Sequence, residues 1–157
     1  MEKYNDLQRP LYLAFIDYQK AFDSILHNSI CEALKENKID YTYCKIIKNI
    51  YERNTSRVSL ETSRPEIKIR RGVKQGDPLS PKLFIAVLEM IFKKLDWKNL
   101  GIRINDKYLS HLRFADDIIL VSKSSSELEQ MIHHLQVENT RVGLEMNLEK
   151  TKLMTNL

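Results

Sequence analysis

The chain has 157 residues, a formal net charge of +4, and hydrophobic and charged fractions of 43% and 29%. That length supports one domain with a real core, and the composition is that of a folded chain. No apolar run approaches the roughly 18 residues needed to cross a bilayer. The polar N-terminus MEKYNDLQRP does not read as a signal peptide, and two cysteines without a CxxC pair argue against a disulfide framework or structural zinc.

In chain order, LYLAFIDY (residues 11–18) is a short apolar run with Asp17 near its end, the pattern of a buried strand. Residues 21–37 predict one amphipathic helix, with Phe22, Ile25, Leu26, Ile30 and Leu34 near helical spacing. Residues 41–53 predict a second helix carrying Ile46, Ile47 and Ile50. SRVSLET and EIKIRRG alternate apolar and polar residues around Ser63-Arg64-Pro65, which predicts a hairpin. GVKQGDPLSP reads as a rigid loop in which Ser80 caps a helix and Pro81 takes its first position, the helix continuing through residues 83–95.

IRINDKYLSHLRFADDIILVS predicts further strands that turn at Asn105-Asp106 and again around Asp116. Ser124 to Glu127 opens a helix running to about Val142, Gly143 ends it, and residues 144–154 form a short extended tail. The order is strand, two helices, hairpin, helix, hairpin, helix, strand. That is an α+β layout, an antiparallel sheet with helices packed on one face.

The stretch HLRFADDIILV sets the adjacent carboxylates of Asp116 and Asp117 in an apolar run. Unpaired carboxylates in such surroundings are costly, and neighbours repel. Asp17 ends another apolar strand. If the two strands are neighbours, three carboxylates converge, an arrangement that is stable around hard cations such as Mg²⁺ or Mn²⁺. Two such ions about 4 Å apart clamp the attacking and leaving oxygens of a phosphoryl transfer. The plainer alternative is that each Asp is a turn residue bonding its own backbone. A basic run of Arg64, Lys68, Arg70, Arg71 and Lys74, against the one acid Glu66, reads either as a solvated edge strand or as a contact for a polyanion. The four histidines, His27, His111, His133 and His134, read as structural or surface residues.

Four segments then resemble, in order, the reverse transcriptases of non-LTR (LINE-type) retrotransposons, with those of group II introns as relatives. They are FIDYQKAFD (15–23), RGVKQGDPLSPKLF (71–84), FADD (114–117) and GLEMNLEKTKLM (143–154). The resemblance implies a polymerase palm and RNA-directed DNA polymerase activity: nucleotidyl transfer from a dNTP to a primer 3′-OH on an RNA template. It implies that Asp17 and Asp116 hold two Mg²⁺ or Mn²⁺ ions with Asp117 beside them, and that the Tyr18 carbonyl is a further ligand. Ala21 and Phe22 would lie at the nucleotide, the Phe22 ring under the sugar, where it excludes a 2′-OH. Core packing on the helix face explains Phe22 equally well.

Gln75 and Gly76 would contact the nucleotide, Gly76 by letting a backbone come close. Lys150 matches the late-motif lysine that assists the leaving pyrophosphate, with Lys152 as the alternative. Arg64, Lys68, Arg70, Arg71 and Lys74 would contact the nucleic-acid backbone. On this resemblance residues 1–157 are a partial reverse transcriptase domain, the palm with part of the fingers-side connection and without the N-terminal fingers or the thumb. No membrane partner is expected, and the machinery of such elements works in the cytoplasm and nucleus. Two other readings stay open: an inactive remnant with residual metal or nucleic-acid binding, and a structural domain whose acids are incidental.

Overall fold

The computed structural model describes residue 4 and residues 7–57 and 66–157. It divides into two compact units, Lys20–Met90 and the combination of Met1–Gln19 with Ile91–Leu157.

In the second of these, β1 (Tyr12–Ile16) is the pivot of a four-stranded sheet. β6 (His111–Phe114), β7 (Asp117–Ser122) and β8 (Lys152–Thr155) complete it, in the order β6-β7-β1-β8. All neighbours are antiparallel, and the register pairs Ala14 with Leu120, Ile16 with Ile118, and Phe15 with Lys152. The pleat sends alternate residues to opposite faces. Ala14, Ile16, Ile118 and Leu120 therefore share one face, and all four are buried. The helix that packs on β1 and β7 is α5 (Ser125–Val142), which buries Leu128, Met131 and Leu135. Burial of a Leu, Ile or Met side chain stabilises by about 1.5–3 kcal/mol, so this layer holds the sheet rigid. On the other face Val121 joins Leu11 and Ile102 in a smaller core that includes Leu13, Leu109 and Ile119. Ile102 and Leu109 come from the hairpin of β4 (Ile102–Ile104) and β5 (Lys107–Leu109), which turns at Asn105-Asp106 as expected.

The α5 termini also match their sequence signals. Ser124 caps the first turn through the Glu127 N–H at 3.2 Å, and Gly143 closes the last. Glu127 reaches past the helix, its carboxylate accepting from the Gly101 N–H at 2.8 Å and the Ser122 hydroxyl at 3.1 Å. The tail is extended over less of its length than predicted. Met146 forms an isolated bridge with Tyr18, residues 148–150 turn, and a regular strand begins at Lys152. His111 packs between Phe92 and Trp97, with ring centroids at 4.5 and 5.9 Å, and the Arg113 guanidinium lies over Phe92.

In the unit Lys20–Met90 the predicted helix over 21–37 is broken into α1 (Ala21–Ser24) and α2 (His27–Glu36). The apolar periodicity runs straight through the break, so the cause is tertiary. The Gly72 N–H donates to the Ile25 carbonyl at 2.7 Å, the Val73 N–H donates to the Phe22 carbonyl at 2.6 Å, and Leu26 bridges Arg71. Ile25 takes extended torsions to satisfy that partner. α3 (Tyr41–Glu52) follows, capped by Asp40, whose carboxylate accepts from the Thr42 N–H at 2.8 Å. β2 (Thr55–Arg57) pairs with β3 (Glu66–Lys68). The predicted turn at Ser63-Arg64-Pro65, Arg64 included, lies outside the described residues. α4 spans Ser80–Lys94. It starts differently from the prediction: Ser80 is already helical, its hydroxyl donates to the Lys74 carbonyl at 2.6 Å, and Asp77 takes the Leu79 N–H.

Candidate active site

The acidic residues gather at one end of the sheet. β1 runs antiparallel to β7, so the C-terminal end of β1 lies beside the N-terminal start of β7. Asp17 follows β1 directly, Asp117 is the first residue of β7, and the two continue the β1–β7 register one step beyond Ile16 and Ile118. Asp116 sits with Ala115 in the tight turn joining β6 to β7, where Phe114 pairs with Asp117. Ala115 has φ +55°. Left-handed torsions cost a residue with a Cβ about 1 kcal/mol or more, and such outliers cluster at functional sites.

Asp17 is half-buried, while Asp116 and Asp117 are exposed. Among the described residues no ion pair or side-chain hydrogen bond engages any of the three carboxylates, and no three His, Cys, Asp or Glu side chains already form a metal-binding group. Among the described residues no Lys, Arg or His forms an ion pair with them. The donor set, carboxylate oxygens without thiolate or imidazole, suits hard divalent cations.

The main chain beside Asp17 adds another oxygen. The Asp17 N–H donates to the Thr151 hydroxyl at 3.4 Å, and the Asp17 carbonyl accepts from Asn147 at 2.8 Å, so both point toward the β8 side. Peptide groups alternate along an extended strand, which turns the Tyr18 carbonyl the opposite way, to the side of β7. No donor among the described residues reaches it. The Tyr18 ring is buried, and its hydroxyl donates to Asn139 at 3.2 Å. Burial pushes this phenol far above its ordinary range, with the Asn139 bond and Arg113 pulling the other way.

The two candidate lysines differ. The Lys152 ammonium donates to the Glu149 carbonyl at 3.3 Å. Lys150 is exposed; its backbone N–H donates to the Asn147 side chain at 3.2 Å, and its ammonium has no hydrogen-bond or ion-pair partner among the described residues.

In the other unit, residues 21–25 and 71–76 come together as a second cluster. Ala21 is buried at the start of α1. Phe22 is half-buried and stacks on the fully buried Phe84, with centroids 4.9 Å apart and planes at 21°. The Gln75 amide donates to the Asp23 carboxylate at 3.0 Å. Gly76 has φ +83°, and a Cβ there would meet nothing within 4 Å. Lys68, Arg70, Arg71 and Lys74 are all exposed, and Arg71 and Lys74 share an open groove with Asp23 and Asn54.

Sequence reasoning missed three residues of this cluster. Gly72, at φ +88°, would carry a Cβ 2.8 Å from the Asp23 carbonyl oxygen. The His27 Nε2 bonds the Gly72 carbonyl at 3.0 Å, and Asp23 holds Gln75. The glycine of RGVKQG was a visible signal. The two partners, far away in the chain, gave none.

The family model described as reverse transcriptase (RNA-dependent DNA polymerase) matches residues 1–156. The chain belongs to the reverse transcriptase family. A retrovirus-related Pol polyprotein from a type-1 R2 retrotransposable element of Nasonia vitripennis is 34% identical over 137 residues, covering 87% of this chain. The corresponding polyprotein from the type-2 element R2DM of Drosophila melanogaster is 32% identical over 143 residues, or 90% of this chain. These relatives put this reverse transcriptase with the LINE-type elements. The chain spans 13% of the length of each polyprotein. The structure of a telomerase from Candida tropicalis, in complex with a TWJ fragment of telomeric RNA, superposes with a TM-score of 0.71 at 19% identity. It covers 94% of this reverse transcriptase chain and 26% of the telomerase chain. At that identity the likeness concerns the α+β palm-like fold alone.

Proposed function

We propose that this chain is the palm part of an RNA-directed DNA polymerase, joining a dNTP to a primer 3′-OH on an RNA template. The observation that carries the proposal is the meeting of Asp17, Asp116 and Asp117 at one sheet end, without ion-pair partners among the described residues, in a reverse transcriptase. In this reading Asp17 and Asp116 hold two divalent ions, Mg²⁺ or Mn²⁺, with Asp117 alongside and the Tyr18 carbonyl as a further oxygen donor. When bound, such ions stabilise the attacking and leaving oxygens of the transfer.

The chain's own residues do the rest. The Phe22 ring, seated on Phe84, crowds a 2′-OH and selects deoxynucleotides. Gln75 bonds the nucleotide, and the empty side-chain position at Gly76 lets the nucleotide approach the backbone. The Lys150 ammonium gives a proton to the leaving pyrophosphate or offsets its charge. Lys68, Arg70, Arg71 and Lys74, with Arg64, contact the phosphates of template RNA and DNA primer. The domain works inside the cell, on RNA in the cytoplasm and DNA in the nucleus.

One competing reading is a remnant that binds metal or nucleic acid without turnover. Primer extension on an RNA template with dNTPs and Mg²⁺ or Mn²⁺, run beside Asp116→Ala, separates the two. Extension by the wild type and its loss in the variant support the polymerase. A wild type that is folded by circular dichroism and extends nothing refutes activity and leaves the remnant.

A further inference from the structure

We propose that Asp23 is a positioning residue that fixes which end of the Gln75 amide faces the nucleotide. The inference rests on the reading of Gln75 as a nucleotide contact. A carboxylate accepts hydrogen bonds and cannot donate, whereas a glutamine amide has an accepting and a donating end. The Gln75 Nε2 donates to the Asp23 carboxylate at 3.0 Å across 52 residues of sequence. That contact fixes the flip of the amide: the NH₂ end is held, and Oε1 with one remaining N–H is turned outward as an acceptor–donor pair.

The Asp23 bond is the one hydrogen bond of the Gln75 amide among the described residues, and the next residue is Gly76, whose side-chain position is empty space. Asp23, by contrast, stands on a clamped backbone. Its N–H donates to the Lys20 carbonyl at 2.8 Å. The flanking Phe22 and Ile25 carbonyls accept from Val73 and Gly72, and Gly72 packs against the Asp23 main chain more closely than a Cβ would allow. The carboxylate itself is exposed, so it is not a packing element of the core. A carboxylate that can only accept, carried on a held backbone, thus sets the direction of the amide.

The test uses the whole chain. The Gln75 side-chain NH₂ signals, assigned by their loss in Gln75→Ala, are followed by ¹⁵N NMR in wild type, Asp23→Ala and Asp23→Asn, with circular dichroism as the fold control. Primer extension gives kcat and KM for dNTP in the same proteins and in the Asp23→Ala/Gln75→Ala double variant. Asp23→Ala is expected to shift the Gln75 NH₂ signals to those of a free amide and to raise KM about fivefold with kcat little changed. Asp23→Asn, which keeps an acceptor, restores part of the loss, and the double variant is no worse than Gln75→Ala alone. Unmoved Gln75 signals in Asp23→Ala, or additive effects in the double variant, overturn the proposal. A folded wild type that extends no primer is a separate failure, of the polymerase reading itself.

Discussion

Replacement of Gly72 by alanine tests the account of how the α1–α2 break is held. Two effects act at this position. Left-handed torsions penalise a Cβ by about 1–2 kcal/mol. The added methyl would also lie 2.8, 2.9 and 3.0 Å from the O, Cα and C atoms of Asp23, all main chain and unable to rotate away. Overpacking of that kind costs about 1–3 kcal/mol. Moving the two segments apart instead strains the bonds from Gly72 to Ile25 and from Val73 to Phe22, each worth about 1 kcal/mol. Together these give Gly72→Ala a destabilisation of about 2–5 kcal/mol.

Gly76→Ala is the internal control. Its φ of +83° carries the same torsional penalty, but no atom lies within 4 Å of the new methyl, so about 1–2 kcal/mol is expected. Urea unfolding followed by circular dichroism measures both on equal footing. A Gly72→Ala effect within 1 kcal/mol of Gly76→Ala would refute the argument, because the steric term would then be absent.

Three further outcomes follow from local structure. Ser124→Ala removes the cap of α5 and lowers stability by about 1 kcal/mol in the same urea assay, whereas Ser124→Asp keeps it. At Asp40 the backbone hydrogen bond from Thr42, with a side-chain bond to the same residue, holds the carboxyl below its ordinary range. A carboxyl depressed in the folded state stabilises above its unfolded pKa and loses that effect as pH falls through the folded value. The helical signal of α3 should therefore fray on acidification below about pH 4, and Asp40→Asn should remove that acid step; an unchanged acid limb in the variant contradicts the assignment. Burial raises the Cys31 thiol above its usual range, with Lys48 and Lys35 opposing. Its alkylation by iodoacetamide at pH 8 should be slower than that of a free thiol and should gain more from a rise to pH 9; equal rates would count against the effect of its half-buried setting.

Local signals were read where local interactions decide the outcome. The Ser124 cap, the Gly143 stop and the turn at Asn105-Asp106 all involve partners within a few residues, and each stands as expected. The antiparallel α+β fold was legible from the spacing of the apolar runs, and the family from four motifs in order. The break at Ile25 was not, because Phe22, Ile25, Ile30 and Leu34 keep helical spacing while the decisive partners, Gly72 and Val73, lie about 50 residues away. The start of α4 slipped for a related reason: the Ser80 hydroxyl is drawn back to Lys74 by the loop it closes. At the candidate site the carboxylates were visible as residues in unexpected company. Their shared location depends on the pairing of β1 with β7, which no local pattern encodes.

That pairing has a consequence for how the chain is made. β1 leaves the ribosome well before either strand that flanks it, since Ile16 faces Ile118 and Phe15 faces Lys152, each more than 100 residues further on. At about 5–20 residues per second of synthesis, the strand YLAFI waits many seconds with both edges open. Such non-local closure is slow, and an unpaired apolar strand is a hazard while it waits. The carboxylate end of the sheet is therefore a late product of folding: a chain halted before β7 has Asp17 but no strand to bring it beside Asp116, and one halted before β8 leaves an edge of β1 uncovered.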